Sequence, residues 1–202
     1  MGKTSNDICL VSPPDRATSL VIPIALMSLS AWLEGSGIQS EIVDVKRDQF
    51  ARIDSTERSK IIGEIVERVQ KIDAPYVGLT AFTSDYHTVM ELAKQIRKVT
   101  NTKIIVGGVH ATLRPHDFLL TDSPVDFVVV GEGEETLTEL IEVDSRGESA
   151  HHVAGLIFRD RDGIVATEVR PVLKDLATCP MPAYHQVDMR YYTRPNRGVI
   201  RL

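Results

Sequence analysis

The sequence has few cysteines and no excess of positive charge, and each absence excludes a class of protein. Its two cysteines, Cys9 and Cys179, are far apart, and neither has a Cys or His nearby at the spacing of metal ligands. We therefore expect neither a disulfide scaffold nor a structural zinc site, and a reducing cytoplasm is the default location. Lys and Arg number 23 against 28 Asp and Glu, so the net charge is −5. That balance does not suit a protein that binds the phosphates of a nucleic acid.

Long hydrophobic runs are also missing. No stretch of about 18 consecutive apolar residues is present, so the sequence predicts no membrane span. The start of the chain, MGKTSNDICLV, lacks the layout of a signal peptide. Hydrophobic residues make up 43% and charged residues 25% of the 202 positions, which is the composition of a chain with enough apolar surface to fold. The length predicts one full domain with an appendage.

Short strand-like runs alternate with amphipathic helical segments over residues 1–146. Three of the predicted strands contain the continuous apolar runs ICLV, IIV and FVVV, which are typical of strands covered on both faces of a parallel sheet. The pattern predicts an α/β fold: a doubly wound, five-stranded parallel sheet of flavodoxin-like type with strand order 2-1-3-4-5. Residues 24–33 are apolar nearly all round, which predicts a deeply buried first helix. The predicted strands are residues 7–12, 38–45, 75–80, 102–107 and 125–130.

The pattern changes after about residue 146. Two strand-like runs, residues 155–159 and 164–169, flank the sequence DRDG, and Asp-Gly between two such runs predicts a β-hairpin. Several prolines then follow with little periodicity, which indicates a linker. We therefore divide the chain into an α/β domain at residues 1–146 and a hairpin extension with a linker at residues 147–202.

Four loops that follow predicted strands are rich in Gly, Pro and small hydroxyl residues. In doubly wound sheets, ligands bind outside the carboxyl ends of the strands near the switch point, here between strands 1 and 3. Glycine lets a ligand approach the backbone closely. A glycine pair after one strand can be a simple tight turn, but four such loops favour a ligand-binding edge. The loops follow strands 1, 3, 4 and 5, at residues 12–16, 80–85, 107–112 and 131–136.

Three other functions of this topology lack their motifs. No GxGxxG follows the first strand, and no GxxxxGK[ST] occurs, so the sequence indicates neither a dinucleotide site nor a P-loop. A phospho-receiver domain would need an Asp at the end of strand 3 and a Lys after strand 5. Strand 3 ends in Thr80, and strand 5 leads into glycines and glutamates.

Several blocks in order resemble one family: LVSPP, VGLTAFTSD, IIVGGVHATLRP, VDFVVVGEGEETLTEL, GLIFRDRDG and LATCPMPA. Together they resemble the cobalamin-binding N-terminal domain of class B radical-SAM enzymes, which include the anaerobic magnesium-protoporphyrin ester cyclase and several methyltransferases. The resemblance covers residues 7 to about 185. It implies that the sheet holds cobalamin (B12) base-off, with the nucleotide tail threaded into the domain and the corrin ring turned toward a second domain.

The same resemblance implies that the four loops line the cobalamin site. The tail needs a slot between strands 1 and 3, and we expect a side chain at Gly108 to project into it. His110 has two interpretations, a cofactor contact or a bond to loop carbonyls, and Glu132 either bonds the tail or fixes its own loop. The implied cofactor-binding residues are Ser12, Pro13, Pro14, Thr80, Phe82, Thr83, Ser84, Gly107, Gly108, Val109, His110, Gly131, Glu132, Gly133 and Glu134.

One motif of the full-length family is absent from this sequence. The radical-SAM signature CxxxCxxC, whose thiolates bind a [4Fe–4S] cluster, does not occur. We therefore expect no catalysis by this chain alone. We expect the cluster, S-adenosylmethionine and a C-terminal radical-SAM domain in a longer parent, of which this chain is an excised or truncated part. Two alternatives stay open: a freestanding flavodoxin-like module that binds or senses another small ligand such as a flavin, and a degenerate domain that binds nothing.

A protein ligand to cobalt is not expected. Corrinoid proteins with a histidine ligand carry DxHxxG after strand 1, but here that loop offers Asp15 and Ala17 without a histidine. Asp85 and His87 have the right spacing, yet they follow strand 3 and Met90 replaces the glycine. We interpret His87 as an exposed residue in the first turn of a helix.

Overall fold

The computed structural model describes residues 6–14, 22–45 and 55–192. Within these ranges, seven strands form one sheet in the order β2-β1-β3-β4-β5-β6-β7. The strands are β1 (Ile8–Ser12), β2 (Ser40–Asp44), β3 (Tyr76–Thr80), β4 (Lys103–Gly107), β5 (Phe127–Val129), β6 (Leu156–Asp160) and β7 (Gly163–Ala166). The helices are α1 (Ile24–Gly35), α2 (Ser55–Ile72), α3 (Tyr86–Val99), α4 (Val109–Leu113), α5 (Glu134–Ser145) and α6 (Met189–Tyr192).

The first five strands are parallel and have the predicted order, so the α/β class and the doubly wound topology are confirmed. β1 pairs with β2 on one side and with β3 on the other. All five of its residues are buried, which explains why its sequence is apolar throughout rather than alternating. The switch point lies at the carboxyl ends of β1 and β3, where the connections leave in opposite directions.

The helices cover the two faces of the sheet as two layers. On one face, α2 and α3 pack against the sheet through fully buried side chains such as Ile65 and Leu92. On the other face, α1 and α5 do so through Leu33 and Leu140. In the parts of the chain described, none of the helices is long and apolar enough to cross a membrane.

The prediction of a deeply buried first helix is only partly correct. Met27 and Leu33 of α1 are fully buried, but Ile24 is 47% exposed and Ala25 is exposed as well. Leu29 is half-buried. Ala25 and Leu29, together with Leu26, border the cavity described below.

The predicted hairpin is present and extends the main sheet. β6 runs antiparallel to β5, and β7 runs antiparallel to β6. The segment after β7 then returns across the domain. Its Ala183 N–H donates to the carbonyl of Met27 at 3.0 Å, and Gln186 Nε2 donates to the carbonyl of Ser40 at 2.7 Å. The predicted linker is thus bonded to α1 and β2, while the domain boundary at residue 146 stays a prediction.

Candidate functional site

A cavity of about 240 Å³ opens at the carboxyl edge of the sheet, between the sheet and helices α1 and α5. It lies at the switch point, which is the usual ligand site of doubly wound sheets. Its lining comes from four parallel strands, from both helices and from the loops after β4 and β5. The lining residues are Leu10, Ala25, Leu26, Leu29, Gly78, Leu79, Thr80, Ile105, Gly107, Gly108, Val129, Gly131, Glu132, Gly133, Glu134 and Leu137.

Gly78 forms the floor of this cavity. The strand register aligns Leu10, Gly78 and Ile105 side by side across β1, β3 and β4. A Cβ atom at Gly78 would lie 2.9 Å from Leu10 Cδ2, so a side chain there would enter the space between its neighbours. Gly78 is not among the predicted site residues. The sequence contains one indication of its role: Gly78 is a lone glycine inside an apolar strand. Such a glycine weakens a strand, and it often marks a place where a ligand approaches the backbone closely.

The cavity wall is mostly aliphatic. Leu26 comes from α1 and Leu137 from α5. Among the described lining residues, the polar side chains are Thr80, Glu132 and Glu134, at the end of β3 and around the start of α5. The aliphatic residues were not predicted as site residues, because their pattern matches that of ordinary core positions. Only the packing of α1 and α5 reveals that they border a space.

The structure brings about half of the predicted residues to the cavity. Thr80, which ends β3, and members of the loops after β4 and β5 line it. The predicted residues in this group are Thr80, Gly107, Gly108, Gly131, Glu132, Gly133 and Glu134.

The remaining predicted residues lie elsewhere at the carboxyl edge. Ser12, Pro13 and Pro14 are buried where β1 ends, and Asp15 and Ala17 of that loop lie outside the described residues. Thr83 and Ser84 are exposed in a 3₁₀ turn that precedes α3.

The predicted residues Phe82 and Val109 belong to an apolar rim. Phe82 is 56% exposed and Val109 is 52% exposed, in the loops after β3 and β4. Ile24 and Leu113 are also exposed at this edge, and we call these four residues the apolar rim. Large exposed apolar side chains on the elements of a ligand-binding edge are the kind of surface that a ligand or partner covers.

The loops around the cavity are bonded to one another. The Ala81 N–H donates to the carbonyl of Gly107 at 2.9 Å, and the His110 N–H donates to the carbonyl of Ala81 at 3.0 Å. The Gly131 N–H donates to Thr112 Oγ1 at 3.0 Å. These bonds connect the loops after β3, β4 and β5 to one another at the carboxyl edge.

The steric role of Gly108 differs from the prediction. Its φ of +97° lies in the region that favours glycine. A Cβ atom there would lie 2.9 Å from Thr80 Oγ1 and 3.0 Å from the backbone N and O atoms of Ala81. A side chain at Gly108 would therefore collide with the preceding loop of the protein itself, before it could obstruct a ligand.

His110 does not reach the cavity. Its side chain is buried on the side of α3, where the ring packs against Tyr86 and Phe118. Nδ1 lies 3.1 Å from Thr83 Oγ1, and Nε2 lies 3.4 Å from Asp117 Oδ2 without a hydrogen bond. His110 thus bonds a loop hydroxyl rather than a loop carbonyl. His87 is exposed in the first turn of α3, as we interpreted it.

Glu132 and its neighbours hold the segment after β7. Glu132 Oε2 accepts a hydrogen bond from the Leu173 N–H at 2.6 Å. Arg170 donates to Glu135 Oε2 at 3.0 Å and to Thr136 Oγ1 at 2.7 Å. This bond gives Glu132 a structural role, but it connects the loop to the segment after β7, and a bond from Glu132 to the cofactor tail stays a prediction.

A wider groove of about 780 Å³ lies at the opposite, amino edge of the sheet. Three of its polar side chains pair with one another: Tyr76 Oη donates to Asp144 Oδ2 and Lys103 Nζ donates to Asp144 Oδ1, each at 2.5 Å. Burial and the bond to Asp144 raise the pKa of Tyr76. Because this groove lies away from the switch point, the smaller cavity is the better ligand site despite its size.

The family models identify the domain. The model described as "B12 binding domain" matches residues 15–141. The chain is 31% identical over 144 residues to an uncharacterized methyltransferase of Pyrococcus horikoshii, covering 69% of this chain and 31% of that protein. It is 28% identical over 195 residues to the anaerobic magnesium-protoporphyrin IX monomethyl ester cyclase of Synechocystis sp., covering 92% of this chain and 37% of the cyclase. The chain thus spans about a third of the length of these relatives.

Solved structures share the fold. The cobalamin-dependent S-adenosylmethionine radical enzyme OxsB, with aqua-cobalamin and S-adenosylmethionine bound, has a TM-score of 0.71 at 18% identity, over 87% of this chain and 24% of OxsB. The radical S-adenosylmethionine methyltransferase TsrM of Kitasatospora setae, with cobalamin and a [4Fe-4S] cluster bound, has a TM-score of 0.65 at 22% identity, over 82% of this chain and 32% of TsrM. Since the family model matches well over half of the chain and includes the loops that border the cavity, this chain belongs to the B12-binding domain family, and the predicted cofactor, cobalamin, is confirmed.

Proposed function

We propose that this chain holds cobalamin base-off at the carboxyl edge of its sheet, as the cobalamin module of a radical-SAM methyltransferase or cyclase. The observation that carries the proposal is the cavity at the switch point, which Gly78 keeps open beneath the glycine-rich loops. Bound cobalamin supplies a cobalt centre that can carry a methyl group or exchange electrons. The residues of this chain bind and orient it.

The shape and chemistry of the cavity suit the lower base of the nucleotide tail. The aliphatic walls formed by Leu26, Leu137 and Ile105 can cover both faces of a flat aromatic ring. At the mouth, Gly107 and Gly131 leave room for the ribose and phosphate to approach the backbone. The Thr80 hydroxyl can donate to or accept from the polar atoms of the tail.

The corrin ring would lie on the apolar rim. Phe82 and Val109 expose more than half of their surface although they are large and apolar, and they follow the strands whose ends frame the cavity. A tail seated in the cavity would bring the macrocycle over these side chains. The opposite face of the ring would then be open to a second domain, where the cluster and S-adenosylmethionine of the parent enzyme would bind.

The geometry supports a cobalt ion that has no histidine side chain of this chain as a ligand. No histidine is among the residues described as lining the cavity. His110 faces the α3 side, and His87 is exposed on α3. Residues 15–21, in the loop after β1, lie outside the described ranges, and their sequence contains no histidine.

A parent enzyme that methylates or cyclises is supported by the named relatives. They include methyltransferases and the anaerobic cyclase, and this chain matches a similar stretch of each. The choice between the two reactions depends on residues outside the matched stretch, because the B12-binding module is common to both.

The purified chain tests the proposal directly. Mixed with hydroxocobalamin and passed through gel filtration, it should retain corrin absorbance with the spectrum of a base-off form. The same experiment with FMN serves as the comparison. Retention of FMN without retention of cobalamin would replace the proposal with the flavodoxin-like alternative, and retention of neither would favour a scaffold domain.

A further inference from the structure

The lining of the cavity bears on which cobamides this domain accepts. Cobamides share the corrin ring but differ in the lower base, which can be a benzimidazole, a phenol or a purine. We infer that the cavity selects cobamides with a benzimidazole or phenolic base over those with adenine. This inference rests on the proposed function, because it assumes that the base of the tail enters the cavity.

Among the described residues, no side chain at the inner end of the cavity can form a hydrogen bond. Leu10 and Ile105 flank the Gly78 floor, and Leu26 and Leu137 close the space above it. Each of these four side chains is at least 95% buried. The backbone groups of the floor belong to the paired ladders of β1, β3 and β4, so they too are satisfied within the sheet.

The polar side chains among the described lining residues are at the mouth. Thr80 is the last residue of β3 and lies two positions beyond Gly78, on the same face of the sheet. Glu132 lies in the loop after β5, and its carboxylate already accepts from Leu173. The Thr80 hydroxyl is positioned for the ribose or phosphate of a tail, and the carboxylates of Glu132 and Glu134 can accept only from ribose hydroxyls, whereas among the described residues the far edge of the base would meet hydrocarbon.

Polarity, rather than size, then discriminates among the bases. Dimethylbenzimidazole and adenine are both bicyclic and flat, but the far edge of the first carries two methyl groups. The far edge of adenine carries an amino group and ring nitrogens that would lose their water without gaining partners. Burying unpaired polar groups of this kind is expected to weaken binding about tenfold or more.

Four corrinoids separate the possible outcomes when each is titrated into the full chain: cobalamin, a cresol-based cobamide, an adenine-based cobamide and cobinamide, which has no base. We expect similar dissociation constants for cobalamin and the cresol form, and binding about tenfold or more weaker for the adenine form. Equal binding of the adenine form would overturn the inference. Equal binding of cobinamide would also overturn it, because the base would then contribute nothing. Failure of all four to bind would instead refute the proposed function.

A pair of variants assigns the selectivity to the cavity. Leu29→Gln adds an amide to the wall at a half-buried helical position that tolerates a polar residue. Leu120→Gln is the control, since Leu120 is 59% exposed and does not line the cavity. Leu29→Gln should lower severalfold the ratio between the dissociation constants of the adenine-based cobamide and of cobalamin, and the control should leave this ratio unchanged. An unchanged preference in Leu29→Gln would contradict the assignment of selectivity to this cavity.

Discussion

Replacing Gly78 with alanine should weaken cobalamin binding while leaving the fold intact. The new Cβ atom would lie 2.9 Å from Leu10 Cδ2 and 3.6 Å from Ile8 Cδ1. Both atoms are the far ends of flexible side chains, so Leu10 can shift, and the space next to it is the cavity. The floor would therefore rise by about the size of a methyl group.

The effect on affinity can be estimated from the apolar contact that the base would lose. If the floor rises by one methyl group, the base binds further out, and about two methyl-sized groups of the base lose their contact with the cavity. The lost burial costs about 1.6 kcal/mol, which is roughly 15-fold in affinity. The net effect on stability is about 0–2.5 kcal/mol of destabilisation. Overpacking costs about 1–3 kcal/mol, and the lower chain entropy of alanine offsets about 0.5–1 kcal/mol of that.

The assay is a spectroscopic titration of cobalamin into wild type and variant, paired with urea unfolding of each. Gly63→Ala is the matched control, because Gly63 is exposed in α2 and a Cβ atom there would have nothing within 4 Å. That control should raise stability by about 1 kcal/mol and leave the affinity unchanged. A folded Gly78→Ala protein that binds cobalamin as tightly as wild type would refute the assignment of the tail to this cavity.

Three further predictions follow from cobalt coordination, from backbone geometry and from burial. Cob(II)alamin bound to the chain should show no nitrogen superhyperfine splitting in its EPR spectrum. A splitting that vanishes in His87→Ala would reveal a protein ligand, and one that persists would mean that a base or another histidine is bound. Gly108→Val should lower the free energy of unfolding by about 1–3 kcal/mol even without cobalamin, since φ is +97° and the loop of Ala81 is in contact; unaltered urea unfolding would contradict this. Burial raises the pKa of the Cys9 thiol from 9.0 to about 12. The unfolded state then loses a proton that the folded state keeps, so Cys9 should make stability fall by up to about 1.4 kcal/mol per pH unit between pH 9 and pH 12. Cys9→Ala should remove this contribution, which is clearest between pH 9 and pH 10, because the raised pKa of Tyr76 adds a fall of its own at higher pH.

Several features of the site were not predictable from the local pattern of residues. The aliphatic residues of α1 have the spacing of core positions, and nothing in the sequence says that Leu29 borders an opening rather than another side chain. His110 sits in a glycine-rich loop at the ligand edge, but the direction of its side chain depends on how α4 begins and on the rings of Tyr86 and Phe118. A loop motif locates a residue along an edge without saying which face it turns to.

The sequence by itself determined the order and type of the parallel strands and the edge at which the loops converge. The type follows because continuous apolar runs and amphipathic stripes are local consequences of burial on two faces or on one. The order follows because alternating strands and helices of this kind commonly form a doubly wound sheet with one strand order. The tertiary structure alone decided that Gly78 opens the floor, that Gly108 is constrained by the loop of Ala81, and that Glu132 is bonded to Leu173. Each of these depends on which residues of distant segments lie side by side, and the register between strands and the return of the chain after β7 set those neighbours.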